Sequence, residues 1–351
     1  MMLNKFSVSA FKSIANADIS LTKLNLFSGP NSSGKSSAIQ ALLLGADNIS
    51  MNGESHLMNA KHLPAMSFNE VRNYIVNAKE YSITFSESGS DVSLFFKAAE
   101  DSYVKTVVEQ VGQPSESLMM NLAANVLYLS AQRNADFTSA KINPLPLNPL
   151  GLRGEYVIDF YQNHRKDLLP DSLIYYKGSK TLASQIDYWL ERLTGYRLDV
   201  EIDGAEYKVR YLTDSGKLLH PYNVGTGVSF ITEVLIVCLA SSIGGLVVIE
   251  NPEIHLHPSA QADMVDFLTL IAKAGVQVII ESHSDHFFNG IRRNIHNGKL
   301  SYEDVSVYNF VKDQENITQA SEIKLNSRGG LVNYTPGMFD QFDRDLDEML
   351  K

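Results

Sequence analysis

Near the start of the chain, Gly29-Pro30-Asn31-Ser32-Ser33-Gly34-Lys35-Ser36 has residue types and a spacing suited to holding concentrated negative charge. The glycines let the backbone turn several N–H groups inward, and a helix opening at Lys35 presents its positive end to the same point. The pattern is G-x-x-x-x-G-K-[ST]. Its lysine reaches the β- and γ-phosphates of a nucleotide, and the hydroxyl of Ser36 ligates Mg²⁺. Asn31, Ser32, Ser33, Gly34 and Ser37 complete the expected cradle, and the ligand class is a nucleoside triphosphate such as ATP.

Two apolar runs later in the chain end in groups that belong beside such a cradle. Leu246-Val247-Val248-Ile249-Glu250 reads as a buried strand closing on a carboxylate, followed by Asn251-Pro252-Glu253-Ile254-His255-Leu256-His257-Pro258. An acidic residue at a strand tip next to a P-loop holds Mg²⁺, which makes Glu250 the expected metal ligand. Val276 to Ile280 is a second such strand, ending in Glu281-Ser282-His283-Ser284-Asp285-His286. Open α/β sheets bind ligands at the C-terminal ends of their strands, so His283 is expected at a γ-phosphate or an attacking water. A transition-metal cluster of His255, His257, His283 and His286 is an alternative, although no tight H-x-x-x-H helix supports it. Asn223-Val224-Gly225-Thr226-Gly227-Val228-Ser229 offers backbone N–H groups ahead of a helix, a second anion-binding element.

These groups require a strand, a loop and a helix in succession. Leu24 to Phe27 supplies the strand, and Ile39, Leu42 and Leu43 recur at helical spacing after Lys35. Residues 81–85, 91–96 and 125–130 read as further strands. Pro144, Pro146 and Pro149 interrupt regular structure; a helix bearing Leu182, Ile186, Trp189 and Leu190 follows, then alternating strands around Asp203-Gly204 and Asp214-Ser215-Gly216. From about 223 to 310, turns, strands and helices alternate in α/β style. The expected organisation is an ATPase head split into 1–134 and 221–351 by an insertion or arm over 135–220. The fold class is α/β: a mostly parallel core sheet, an antiparallel β subdomain and a partly helical insertion.

Composition narrows the class. At about 150 residues per domain, 351 residues make roughly two. With 44% hydrophobic and 20% charged residues, a sizeable core is available and global disorder is excluded. Lys plus Arg is 30 against 40 Asp plus Glu, a net charge of −10, which argues against coating nucleic acid or anionic membrane with the whole surface. The single cysteine, Cys238, forms no internal disulfide and no Cys-based zinc site, suggesting a reducing cytoplasmic setting. The N-terminus shows no secretory signal. Val234 to Ile249 is uncharged but shorter than the roughly 20 residues of a membrane span and broken by Gly244-Gly245, so it reads as a buried helix, turn and strand.

With these parts in order, the chain resembles the ABC-type ATPase heads of the RecF and SMC class, and within it the bacterial ATPases grouped with overcoming-lysogenisation-defect (OLD) proteins. Phe11-Lys12-Ser13-Ile14 resembles the family's opening turn, which implies that Lys12 lies beside the nucleotide base. Tyr128 to Arg133 stands where a Q-loop is expected, which implies a nucleotide and Mg²⁺ contact from Gln132. Asn223 to Ser229 resembles the signature turn, so Gly225, Gly227 and Ser229 are expected to cap the γ-phosphate of an opposite subunit. Ile249 to Pro258, 281–293 and the tail 330–342 are similar to one subgroup. The resemblance implies an ATP- and Mg²⁺-dependent homodimerising switch.

The chain departs from that pattern where Asp-Glu is usual: it has Glu250-Asn251. Asn accepts no proton, so either Glu253 is the general base or hydrolysis is slow. The stretch after His286 is too short for the nuclease domain of many OLD-type proteins, and the acidic tail Asp343, Asp345, Asp347 and Glu348 reads as a solvated helix end. A separately encoded effector, nuclease or toxin, is therefore expected, in DNA repair or anti-phage defence and without a membrane. Arg292, Arg293 and Lys299 would suit DNA contact, although a solvated helix face accounts for them better. Asn251 favours a nucleotide-gated scaffold that holds an effector inactive without DNA. A small-molecule kinase is disfavoured by the signature-like turn and His283.

Overall fold

A computed structural model describes residues 2–350 apart from 88, 101, 134–136, 138–139, 145–147, 334–338 and 340. Pro146 and much of the tail motif at 330–342 lie outside the described residues. The first third forms β1 (Lys5–Phe11), β2 (Ile14–Ser20), β3 (Leu24–Ser28), α1 (Lys35–Asn48), β4 (His56–Leu57), α2 (Phe68–Val71), β5 (Glu80–Glu87), β6 (Ser90–Ala99), β7 (Ser102–Val111), α3 (Glu116–Met119) and β8 (Val126–Leu129). The middle adds β9 (Ala140–Lys141), α4 (Val157–His164), α5 (Leu182–Thr194), β10 (Tyr196–Asp203), β11 (Glu206–Thr213) and β12 (Leu218–Leu219). The last part holds α6 (Thr226–Leu239), β13 (Leu246–Glu250), α7 (Pro258–Lys273), β14 (Gln277–Glu281), α8 (Asp285–His296), β15 (Val305–Lys312), β16 (Thr318–Ile323) and α9 (Gln341–Met349).

Two large sheets result. The first is antiparallel, in the order β2-β1-β5-β6-β7-β4. Its strand β5 alternates, with Tyr81, Ile83, Phe85 and Glu87 turned inward. The second runs β16-β15-β3-β14-β13-β8, parallel except for β16. Every residue of β3, β13 and β14 is buried, the mark of a parallel sheet covered on both faces. The side chains of these strands divide by parity. Leu26, Val247, Ile249, Val278 and Ile280 join one core, and Phe27, Leu246, Val248 and Ile279 the other.

Helix α1 fills the second core, between the parallel sheet and the antiparallel one, which is why its apolar residues exceed one stripe. At Gly45 the helix comes so near β5 that a Cβ would stand 2.6 Å from the Phe85 ring. The first core lies under α5, α6, α7 and α8. The middle segment is continuous with it: Trp189 of α5, 2% exposed, meets Phe267 of α7 edge-on at 5.1 Å. Residues 226–239 form a buried helix and 246–250 a buried strand, and no helix of the described residues is long and apolar enough to cross a membrane.

Truncating the chain's one tryptophan should therefore loosen the middle segment from the head. Trp189→Ala is expected to lower unfolding stability by about 3–5 kcal/mol, measured by urea denaturation.

Candidate functional site

The tips of β3, β14 and β13 lie side by side: Glu281 is in register with Phe27 on one side and Glu250 on the other. From the tip of β3 the chain turns through Gly29 (φ 136°), Ser32 (φ 61°) and Gly34 (φ 109°) before α1 begins. Two glycines are fixed by close packing as well as by φ. A Cβ on Gly29 would fall 2.1 Å from the Phe310 carbonyl oxygen of β15, and one on Gly34 would fall 2.2 Å from Thr318 Oγ1 of β16. Thr318, fully buried, donates its hydroxyl to the Ser33 carbonyl (2.9 Å) and shares a hydrogen bond with Ser13 Oγ (2.8 Å). The loop thus rests on β15 and β16, and the β1–β2 turn is fastened to it.

Gly34 caps α1 without a side-chain acceptor, leaving the first N–H groups of the helix directed at the cleft. Lys35, 3% exposed, donates from Nζ to the carbonyls of Gly29 (3.0 Å) and Pro30 (2.9 Å). Burial pulls its pKa down, and Glu281, Glu250 and Glu253 oppose that pull. The cleft, about 560 Å³, gathers Lys12, Asn31, Ser32, Ser33, Gly34, Lys35, Ser36, Ser37 and His283, together with Asn251, Glu281 and Lys312. Lys12 occupies the left-handed region at the β1–β2 turn and hydrogen-bonds Gln40. Burial and the Lys35 charge lower the pKa of His283, so its ring is neutral near pH 7.

One carboxylate at the strand tips has no role in the expected site. Glu281, rather than Glu250, meets Ser36: its two oxygens accept from Oγ at 3.1 and 3.0 Å. The sheet order is the reason, because β14 lies between β3 and β13 and brings its own tip nearest the loop. Burial, followed by the Glu250 charge, pushes Glu281 up to about 7. Glu250 sits one strand further off and accepts the Ala131 N–H through Oε2 at 2.9 Å. Glu253 accepts the His283 N–H at 2.9 Å. Neither Glu250 nor Glu253 lines the cleft, and burial raises both. The Tyr128 hydroxyl also hydrogen-bonds the Glu250 carboxylate. The converging oxygens of Ser36 and Glu281 suit Mg²⁺, which favours oxygen ligands and few protein groups.

The other expected contacts lie outside the cleft. Gln132 is exposed and lines a neighbouring polar cleft with Lys141 and Arg153. Gly225 and Thr226 are exposed at the N-terminus of α6, which also lacks a side-chain cap; Gly227 packs on the His255 carbonyl. Ser229 is buried and accepts a hydrogen bond from Tyr211 (3.2 Å). The four-histidine cluster does not form: among the described residues, no three His, Cys, Asp or Glu side chains converge as metal ligands. Arg293 and Lys299, considered for DNA, both bind Asp266 (2.6 and 2.9 Å), and Arg292 bonds the Gly329 carbonyl.

Sequence reasoning also passed over Arg133, Thr318 and Lys312. Arg133 is buried; its guanidinium donates to the carbonyls of Ser130 (3.1 Å), Glu250 (2.6 Å) and Asn251 (2.9 Å). Its Nε lies 3.3 Å from Glu233 Oε2 on α6, and Phe230 covers its face. Burial pushes Glu233 up to about 8, against the pull of Arg133. Arg133→Met, which leaves three buried carbonyls without their donor and strands Glu233, should destabilise the chain by about 3–5 kcal/mol, and the pair Arg133→Met with Glu233→Leu should restore only the smaller part owed to Glu233. Urea denaturation of the three proteins checks this.

Comparison with known proteins adds a family and a fold. The profile described as "AAA ATPase domain" matches residues 1–125 and 222–288. A second, described as "Protein of unknown function (DUF3696)", matches 300–349, the part that supplies β15, β16 and Thr318. No curated protein matches. Among solved structures, an SMC head bound to the C-winged helix domain of ScpA is 13% identical, with a TM-score of 0.58 over 93% of this chain and 98% of that one. An Smc head with an extended coiled coil, bound to the C-terminal domain of ScpA derived from Pyrococcus furiosus, is also 13% identical, with a TM-score of 0.55 over 100% of both. The SMC head domain from Thermotoga maritima is 11% identical, with a TM-score of 0.50 over 93% of this chain and 100% of that one. These likenesses give the fold, that of an SMC-type P-loop head. The AAA profile spans more than half the chain and takes in both the phosphate loop and the histidine-bearing strand, so the chain belongs to the AAA ATPase domain family.

Proposed function

We propose that the chain binds Mg–ATP in this cleft, hydrolyses it slowly, and works as a homodimerising switch whose nucleotides are each covered by the Gly225–Gly227 turn of a second copy. The observation that carries the reading is that Lys35, Ser36 and the uncapped N-terminus of α1 line one cleft beyond β3. The exposed, uncapped start of α6 supports the pairing, because its N–H groups suit a phosphate presented from outside.

In this reading Lys35 and the N–H groups of α1 take up β- and γ-phosphate charge. Mg²⁺, when bound, would neutralise charge on the transferring phosphoryl group. Ser36, Glu281 and Glu250 would hold it, and Gln132 would join them by turning in from its neighbouring cleft. Lys12 and Lys312 flank the remainder of the nucleotide. Neutral His283 can donate a hydrogen bond to the γ-phosphate, and Glu253, held against the His283 backbone, takes the proton of the attacking water. Asn251 lines the cleft but accepts no proton, which supports slow turnover.

The output would pass to a separately encoded effector in the cytoplasm, in DNA repair or anti-phage defence. The solved SMC heads bound to ScpA domains support a protein partner. A second reading, a nucleotide-gated scaffold with little hydrolysis and no DNA, is favoured by Asn251 and by the engagement of Arg293 and Lys299 with Asp266.

Lys35→Ala should weaken binding of a fluorescent ATP analogue about 10–100-fold, the scale of one lost charge-assisted contact. Light scattering should show Mg–ATP doubling the mass of the unaltered chain. Glu253→Gln should lower the hydrolysis rate about 10²–10⁴-fold; an unchanged rate removes Glu253 as the base. Strong stimulation of hydrolysis by duplex DNA would discard the scaffold reading.

A further inference from the structure

One of the side chains proposed above to hold Mg²⁺ is already engaged with the phosphate loop before any ligand enters. Glu281 points both carboxylate oxygens at a single hydroxyl, Ser36 Oγ, and stands 3.8 Å from Lys35 Nζ. A serine has one hydrogen to donate, so only one of the two oxygens can be served at a time. When Glu281 is ionised, the second faces the hydroxyl oxygen with its lone pairs; when it is protonated, as its raised pKa allows near pH 7, it can donate to that oxygen instead. Three oxygens converging in this way match a small divalent cation better than a serine.

The backbone under Glu281 is fixed. Its carbonyl accepts the Asn251 N–H at 2.7 Å, the Ser282 N–H binds the Phe27 carbonyl at 3.0 Å, and β14 is paired on both sides. Only the side chain can answer what enters the cleft. Its position also makes the local charge hostile to a bare polyphosphate: Lys35 feels Glu281, Glu250 and Glu253 together. A triphosphate without a cation would meet the Glu281 carboxyl group beside Lys35.

Resting on the ATP reading above, we propose that Glu281 is a latch on the phosphate loop that a divalent cation opens. With the latch closed, Glu281 holds Ser36 and stands beside Lys35, the two side chains a triphosphate needs. A cation arriving with the nucleotide takes the Glu281 carboxylate and the Ser36 hydroxyl as ligands, and Lys35 then faces phosphate rather than carboxylate. Glu281 thereby makes nucleotide binding conditional on the metal.

The experiment measures the affinity of a fluorescent ATP analogue at constant ionic strength, in Mg²⁺ and in EDTA, for the unaltered chain, Glu281→Gln and Glu281→Asp. The unaltered chain should bind far better in Mg²⁺. Glu281→Gln should bind the metal-free analogue about tenfold or more tightly than the parent, because a like charge next to the phosphates is gone. Its gain from Mg²⁺ should shrink, while Glu281→Asp, which keeps the charge, should keep the metal requirement. Glu281→Ala gives the same comparison if the Gln variant does not fold. A neutral variant with the parent's affinity in EDTA and the parent's gain from Mg²⁺ would overturn the latch while leaving ATP binding intact. Failure of the folded parent to bind in either condition would instead overturn the ATP reading, and the latch with it.

Discussion

The Arg133 guanidinium, buried where three pieces of chain meet, is the interaction on which the site's geometry depends. A charged group out of water must direct its N–H donors at acceptors, and here the acceptors are main-chain carbonyls. They belong to Ser130 after β8 and to Glu250 and Asn251 at the tip of β13, with Glu233 of α6 beside them. Because main-chain carbonyls are held, the fastening depends on the conformation of one side chain, that of Arg133. The same residue therefore sets where Asn251 meets the cleft and where α6, with its exposed first turn, is seated. A shift of α6 has a direct mechanical route to the strand tip, with no chain of intermediates.

Charge is placed economically in this head. The chain is acidic overall, yet its one deeply buried lysine at the loop is surrounded by three carboxylates. Net positive potential for a triphosphate must come from the helix N-terminus, from backbone N–H groups and from Lys12 and Lys312 at the rim. The surface cluster of Arg292, Arg293 and Lys299 contributes little, being engaged by Asp266 and the Gly329 carbonyl.

Local spacing carried a good part of this into view. The phosphate loop is defined by residues that must be adjacent, so Gly29 to Ser36 announced itself, as did the buried strands ending at Glu250 and Glu281. The order of strands across the sheet is a non-local property, and it decided that Glu281 and not Glu250 touches Ser36. Thr318 lies on β16 with no local signal; only its packing against Gly34 and Ser33 makes it part of the site. β7 was also passed over, although it continues the antiparallel sheet beyond β6. The middle segment reads as an insertion or arm because its prolines and hairpins differ in character from the flanks. Its apolar residues, Trp189 among them, turn out to share the core under α6 and α7.

The position of β3 has a consequence for how the molecule comes into being. Leu24 is paired with Val278 on one side and with Val305 on the other, so the strand that carries the phosphate loop has no sheet neighbour until nearly the whole chain has been made. At about 5–20 residues per second, translation leaves it waiting on the order of tens of seconds. During that interval α1 and the antiparallel sheet offer shelter to Phe27 alone, while Leu24 and Leu26, which face the other core, have none. The nucleotide cradle is thus encoded about 250 residues ahead of the strands that complete its sheet, and a nascent chain without them would carry the loop's residues without its floor.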